Sequence, residues 1–297
     1  MTNRPSTIDD IHGWFWPEDR TLFAHFLGDE AVLATGDLVE LGTFLGKSTV
    51  FIGNYLAEGE KFVALDLFLN ETDEANKFEN NNYPTLTREK FESNYLAFHS
   101  QLPVIVEGPS SLIVDHVEPA SARFIHVDAS HLYEHVAVDV QSSRTLLAPG
   151  GVVVFDDYRA VHTPGVSAAV WEATALHGFR PFLLSPQKMY GTFDADPAPH
   201  LERVLKLLSR DPRWQYVVED MLGVTLVRAQ WNDASPEVTG PLMTRLNGLD
   251  KRLQRIESKL TRQSERGNRQ FRRLQEDIRQ SSLAARLVGR LRQDKKA

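Results

Sequence analysis

The stretch Leu38-Val39-Glu40-Leu41-Gly42-Thr43-Phe44-Leu45-Gly46-Lys47-Ser48-Thr49 runs from an apolar strand through two glycines into a helix start. Such a bend lets backbone N–H groups and a helix N-terminus approach a ligand closely. Three ligand classes use this arrangement, and spacing separates them. A P-loop requires G-x-x-x-x-G-K-[ST]. Here three residues separate Gly42 from Gly46, one too few to wrap a phosphate, although Lys47-Ser48 imitates the end of that motif. A dinucleotide fingerprint requires G-x-G-x-x-G, and Phe44 and Lys47 occupy its second and third glycine positions.

The third class, a loop for S-adenosylmethionine, fits the spacing better. Glu40 addresses the amino-acid end of such a donor through its loop. The turn at Gly42 and Thr43 admits the methionine moiety, and Ser48 or Thr49 bonds its carboxylate. Asp66 ends the next apolar run, 24 residues beyond Gly42, where a carboxylate accepts ribose hydroxyls. Ser110 follows the third run and is a candidate for adenine contact, or a helix N-cap.

Working outward, short apolar runs alternate with amphipathic stretches. Strands are expected at 37–41, 61–65, 103–106, 122–127 and 151–155, with helices at 47–56, 110–116, 134–147 and 165–177. That alternation indicates βαβ units and a doubly wound, mostly parallel α/β sheet buried on both faces. Residues 179–184 and 188–193 suggest an antiparallel hairpin at one sheet edge. A helix at 201–209 and strands at 214–218 and 222–227 follow. The polar segment 67–100 interrupts the alternation, and a cap over the site is one reading of it. The aromatics of Ile11-His12-Gly13-Trp14-Phe15-Trp16-Pro17 suggest an N-terminal helical lid over 1–34, or plain packing on the sheet. Residues 35–230 then form the main domain.

Two further strand ends deliver carboxylates: Val127-Asp128-Ala129-Ser130-His131 and Phe155-Asp156-Asp157-Tyr158. In a doubly wound sheet such ends meet at the ligand crevice. Asp128, Asp156 and Asp157 are therefore expected to converge. Three oxygen ligands without sulfur favour a hard divalent cation, Mg²⁺ in the first instance. His131 and His162 are the candidate general bases, since an imidazole titrates near neutrality.

The 297-residue chain has no cysteine, which excludes disulfides, thiolate metal sites and a cysteine nucleophile, and is compatible with the cytoplasm. No apolar run approaches the roughly 20 residues that span a bilayer, and no signal peptide is visible. Residues 250–297 carry 15 Lys and Arg against 6 Asp and Glu, leaving 18 against 34 for residues 1–249. The acidic body argues against a nucleic-acid-binding face. Within 241–297, Leu242, Leu246, Leu249, Leu253, Ile256 and Leu260 form a heptad seam. This basic helical extension is expected to form a coiled coil that makes a homo-oligomer. Its end offers a peripheral membrane contact.

The string VDASHLYEHVAVDVQSSRTLLAPGGVVVFDDY, with VELGTFLGKST upstream, resembles the class I methyltransferases related to macrolide-sugar and rhamnosyl O-methyltransferases, some of which are labelled cephalosporin hydroxylases. The resemblance spans about residues 30–193. It implies a seven-stranded Rossmann-like sheet and methyl transfer to a hydroxyl of a sugar, glycosylated small molecule or glycan. It also implies metal-ligand positions at Asp128, Asp156 and Asp157, and donor positions at Gly42, Ser48 and Asp66. His131 replaces an acidic residue or another histidine of many relatives. Two other readings stand beside it: a P-loop-like nucleotide enzyme, and a non-catalytic scaffold that acts through its coiled coil.

Overall fold

The computed structural model describes residues 4–28, 34–68 and 86–232. They fall in one unit, Met1–Asp233. The expected coiled coil at 241–297 and the polar part of the expected cap, 69–85, lie outside the described residues.

Five strands rich in Val, Ile, Leu and Phe form the centre: β1 (Asp37–Leu41), β2 (Phe62–Asp66), β3 (Val104–Glu107), β4 (Ala122–Val127) and β5 (Leu147–Phe155). All pair in parallel. Beyond them lie β6 (Arg180–Leu184), β7 (Met189–Thr192), β8 (Trp214–Met221) and β9 (Val224–Trp231). The sheet has nine strands in the order β3-β2-β1-β4-β5-β7-β6-β9-β8. The expected seven-stranded mostly parallel sheet is present, and the β8–β9 hairpin extends it by two. The β6–β7 hairpin is antiparallel as expected, but it does not end the sheet. Strand β7 inserts between β5 and β6, and β9 pairs in parallel with β6.

Strands β1, β2, β4 and the second half of β5 are buried on both faces, so alternate residues feed two cores. Leu38, Phe62, Phe124, Val154 and Tyr190 pack under α1 (Pro17–Leu27), α2 (Lys47–Gly53) and α3 (Arg88–Tyr95). Val39, Leu65, Ile125, Val153 and Phe155 pack under the 3₁₀ segment Ser110–Asp115, α4 (Tyr133–Leu146) and α5 (Pro164–Leu176). Helix α6 (Ala198–Arg210) adds Val204 and Leu208 to the first core. The aromatic N-terminal segment divides its labour. Phe15 is buried in the core, whereas Trp14 and Trp16 stay 56% and 47% exposed. The winding reverses between β1 and β4, so a crevice opens at the carboxyl ends of those two strands.

Candidate active site

A cavity of about 1040 Å³ occupies that crevice. Ligand sites commonly enclose roughly 300–1,000 Å³, so the space suits a donor and an acceptor together. Its wall brings together eight of the residues singled out from sequence: Gly42, Asp66, Ser110, Asp128, His131, Asp156, Asp157 and His162. Glu40, Thr43 and Ser48 do not line it.

The floor is the glycine turn. Gly42 has φ +83°, and a Cβ there would lie 2.0 Å from the carbonyl oxygen of Asp128. The turn must therefore be glycine to pass beneath the end of β4. Asp66 then fixes the loop. Its Oδ2 accepts from Thr43 N (2.7 Å), Phe44 N (2.8 Å) and Thr43 Oγ1 (3.2 Å). Burial raises its carboxyl above the ordinary range, against the pull of these bonds. Asp66 thus organises the loop as well as facing the cavity, and Thr43 serves that scaffold in place of direct contact. Lys47, the residue that imitated a P-loop, turns away. Its Nζ bonds Gly13 O at 3.3 Å and lies 3.6 Å from Asp9.

Glu40 is also corrected. It is fully buried, and His126 Nδ1 lies 2.9 Å from its Oε1. Residues 38 and 40 of β1 share the face covered by α1, so the Glu40 side chain points into the sheet layer and not toward the loop. His126 stands beside it in register on β4, under the edge of Phe23. Burial alone would push His126 down. The pull of Asp156 and Glu40 outweighs it and raises the imidazole to about 9.

The three aspartates do not form one cluster. Metal-ligating atoms lie within 4.8 Å of one another in two groups that share Asp128: His126–Asp128–Asp156 and Asp128–His131–Asp157. The reason is the pleat. Asp156 continues the parity of Val152 and Val154 toward the α1 face. Asp157 leaves the strand at φ +58° toward the loop side. There His131 Nε2 lies 3.3 Å from Asp157 Oδ2, and the rings of His131 and His162 are 6.1 Å apart, edge to face.

Lys188 is the principal residue that sequence reasoning missed. The antiparallel register Val154↔Tyr190, Phe155↔Met189 carries on to set Lys188 against Asp156. Its side chain is 1% exposed, and its ammonium ion-pairs with Asp156 and lies 4.0 Å from Asp19 of α1. Burial would raise Asp156, but Lys188 and His126 outweigh it and hold the carboxyl below its usual range. Burial first, then the charge of Asp156, pushes Asp128 well up. Burial likewise raises Asp19 to about 6, partly offset by Lys188. A lysine leading straight into the apolar pair Met189-Tyr190 was the available signal. His135, bonded through Nδ1 to Ser130 Oγ at 2.9 Å, is a second missed wall residue.

A family model described as a methyltransferase domain matches residues 39–158. No curated protein matches the chain. Similar solved structures include the apo form of CalS11, a TDP-rhamnose 3'-O-methyltransferase of calicheamicin biosynthesis. It is 20% identical, over 61% of this chain and 82% of that one, with a TM-score of 0.42. The O-methyltransferase NovP is 18% identical over 58% and 76%, with a TM-score of 0.45. An O-methyltransferase from Bacillus cereus in complex with SAH is 15% identical over 76% and 90%, with a TM-score of 0.36. The family match covers the glycine turn, Asp66, Ser110, Asp128 and the Asp156-Asp157 pair, the same elements that converge on the cavity. Residues 39–158 of this chain are thus similar to a methyltransferase domain.

Proposed function

We propose that the protein transfers a methyl group from S-adenosylmethionine to a hydroxyl of a sugar, a glycosylated small molecule or a glycan, with the help of a divalent cation such as Mg²⁺. The observation that carries this reading is the single cavity with the glycine turn on one side and carboxylates with imidazoles on the other. Asp128 and Asp157 offer two carboxylates of the kind such a cation takes, with the His131 imidazole beside them. When bound, the ion would lower the pKa of a coordinated hydroxyl.

The chain's own residues supply the rest. Gly42 and Phe44, in a loop fixed by Asp66, and Ser110 hold the donor. Trp14 stacks on Phe44 with ring centroids 5.8 Å apart. With Trp16 it lines the cavity, a placement suited to a lid that limits water. The acceptor oxygen gains the methyl carbon as the carbon–sulfur bond breaks, and its proton passes to an imidazole. With His131 turned to Asp157, His162 is the base. Replacing His162 by Ala should lower kcat by about 10²–10⁴-fold, with affinity for S-adenosylhomocysteine unchanged. Equal loss of both would remove it from the chemistry.

The test of the whole reading is calorimetry with S-adenosylhomocysteine and with ATP, followed by labelled methyl transfer to a panel of sugar diols with and without chelator. Binding of ATP alone would restore the P-loop reading, which the placement of Lys47 disfavours. Residues 241–297 are proposed as the oligomerisation element.

A further inference from the structure

We propose that the acceptor carries an oxyanion, a carboxylate or a phosphate, and that Arg159 is the specificity-determining residue that holds it. The inference rests on the methyl-transfer reading above and narrows its acceptor from any sugar hydroxyl compound to an acidic one.

Two side chains of fixed positive charge line the cavity, Lys188 and Arg159. Lys188 is already taken. It is buried, its ammonium pairs with Asp156, and Asp19 lies 4.0 Å away. Arg159 differs. It follows Asp156-Asp157-Tyr158 on the loop that leaves β5, three residues before His162, and it is exposed. Among the described residues it has no carboxylate within ion-pair distance, although five aspartates line the same cavity. The acids on that side hold other partners. Asp156 has Lys188, Asp157 has His131 Nε2 at 3.3 Å, and Glu219 of β8 has Arg228 at 3.1 Å. The charge of Arg159 is therefore left for a ligand.

Topology gathers further donors beside it. The guanidinium lies next to the Tyr158 hydroxyl, which donates to Ser185 O at 3.4 Å, at the start of the β6–β7 turn. The next residues of that turn, Pro186 and Gln187, line the cavity. The parallel register Leu184↔Arg228 carries on to bring Gln230 of β9 to the same turn, and Gln230 lines the cavity too. One corner thus offers a planar guanidinium and two planar amides. A guanidinium fork matches carboxylate and phosphate oxygens two at a time, and each amide can add an N–H. The glutamines alone would serve a neutral hydroxyl equally well, so it is the charge of Arg159 that favours an anion. Residues 1–249 carry 18 Lys and Arg against 34 Asp and Glu. The body as a whole repels such an acceptor, and its recognition falls to this short-range contact. Arg159 and His162 share one loop, so a single small molecule can place its anion on the first and its hydroxyl at the second.

The test uses the full chain and matched acceptors: methyl hexosides, the corresponding methyl hexuronides, and hexose 1-phosphates. Calorimetry on the S-adenosylhomocysteine complex reads acceptor binding, and label transfer from S-adenosylmethionine reads kcat/KM. Wild type should prefer one anionic class over the neutral hexosides by about tenfold or more in both. Which class it prefers tells carboxylate from phosphate. Arg159→Gln should cut the anion-to-neutral ratio by about 10–100-fold, through KM more than kcat, with donor affinity unchanged. Arg159→Lys, which keeps the charge and loses the fork, should restore part of the ratio. A merely structural role for Arg159 would lower both acceptor classes together. The proposal is overturned if wild type binds neutral hexosides as well as both anions, if it binds neither anion, or if the ratio survives Arg159→Gln. Failure to bind S-adenosylhomocysteine overturns the methyl-transfer reading and this proposal together. Donor binding with the wrong acceptor pattern overturns this proposal alone.

Discussion

Gly42 and Asp139 show what single residues contribute. At Gly42, φ +83° and a 2.0 Å approach to the Asp128 carbonyl leave no room for a side chain. Left-handed backbone alone costs a residue with Cβ about 1–2 kcal/mol, and the overlap adds to it. Gly42→Ala should therefore unfold at lower denaturant and lose S-adenosylhomocysteine binding, both measurable on one sample. Asp139, on α4, is fully buried, and neither of its oxygens has a hydrogen-bond partner. Burial, only partly offset by the nearby Ser110 hydroxyl, pushes its carboxyl from 3.8 up to about 7. Below pH 3.8 it is protonated folded or unfolded, so its ionisation contributes nothing to stability. Between 3.8 and 7 the unfolded chain ionises first, so stability falls as pH rises, by on the order of 4 kcal/mol once pH exceeds 7. The advantage of Asp139→Asn over wild type in urea unfolding should grow from pH 4 to pH 8 and then level off. A pH-independent difference would mean that Asp139 does not titrate in this range.

At the scale of elements, the two ends of the parallel strands do different work. The carboxyl ends make the cavity. The amino ends are tied by Arg123 at the start of β4. It donates to both carboxylate oxygens of Glu60 (2.8 and 2.9 Å) and to the carbonyls of Tyr55 and Leu27. This clamps the ends of α1 and α2 to the sheet. Truncating one partner of a buried ion pair costs about 3–5 kcal/mol. Arg123→Met should lower stability by that amount in chemical denaturation, while S-adenosylhomocysteine affinity at a temperature where the variant is folded stays within about twofold. Much of this level was legible. Strands β1 to β5 and helices α2, α4 and α5 lie close to where hydrophobic period placed them, because a strand buried on both faces leaves a continuous apolar run. The order of β6 to β9 was not legible. Turn residues show that two strands are joined, but they carry no information on which third strand slips between.

For the molecule as a whole, the reading predicts ligand linkage. S-adenosylhomocysteine at 100 times its Kd should add about 2.7 kcal/mol of stability, seen as a rise in Tm, whereas ATP should add none. Among the described residues no helix is long and apolar enough to cross a membrane. Deleting residues 241–297 should leave donor affinity unchanged, because every wall residue described lies between 14 and 230. If those residues assemble the protein, sedimentation should show the truncated chain monomeric and the full chain larger. Equal sizes would sink that role.

The sequence by itself determined the α/β alternation, the glycine turn, and the delivery of acids to strand ends. All three follow from local rules: hydrophobic period, φ preference and spacing within one βαβ unit. Only the tertiary structure decided which acids act together. Asp156 and Asp157 are adjacent in the chain yet belong to different clusters, because the pleat sends one toward α1 and the positive φ turns the other toward His131. The partners that settle Asp156 and Glu40 are Lys188, 32 residues away, and His126, 86 residues away. Contacts over such separations are set by sheet register and by the burial of charge, and neither leaves a mark in any short window of sequence.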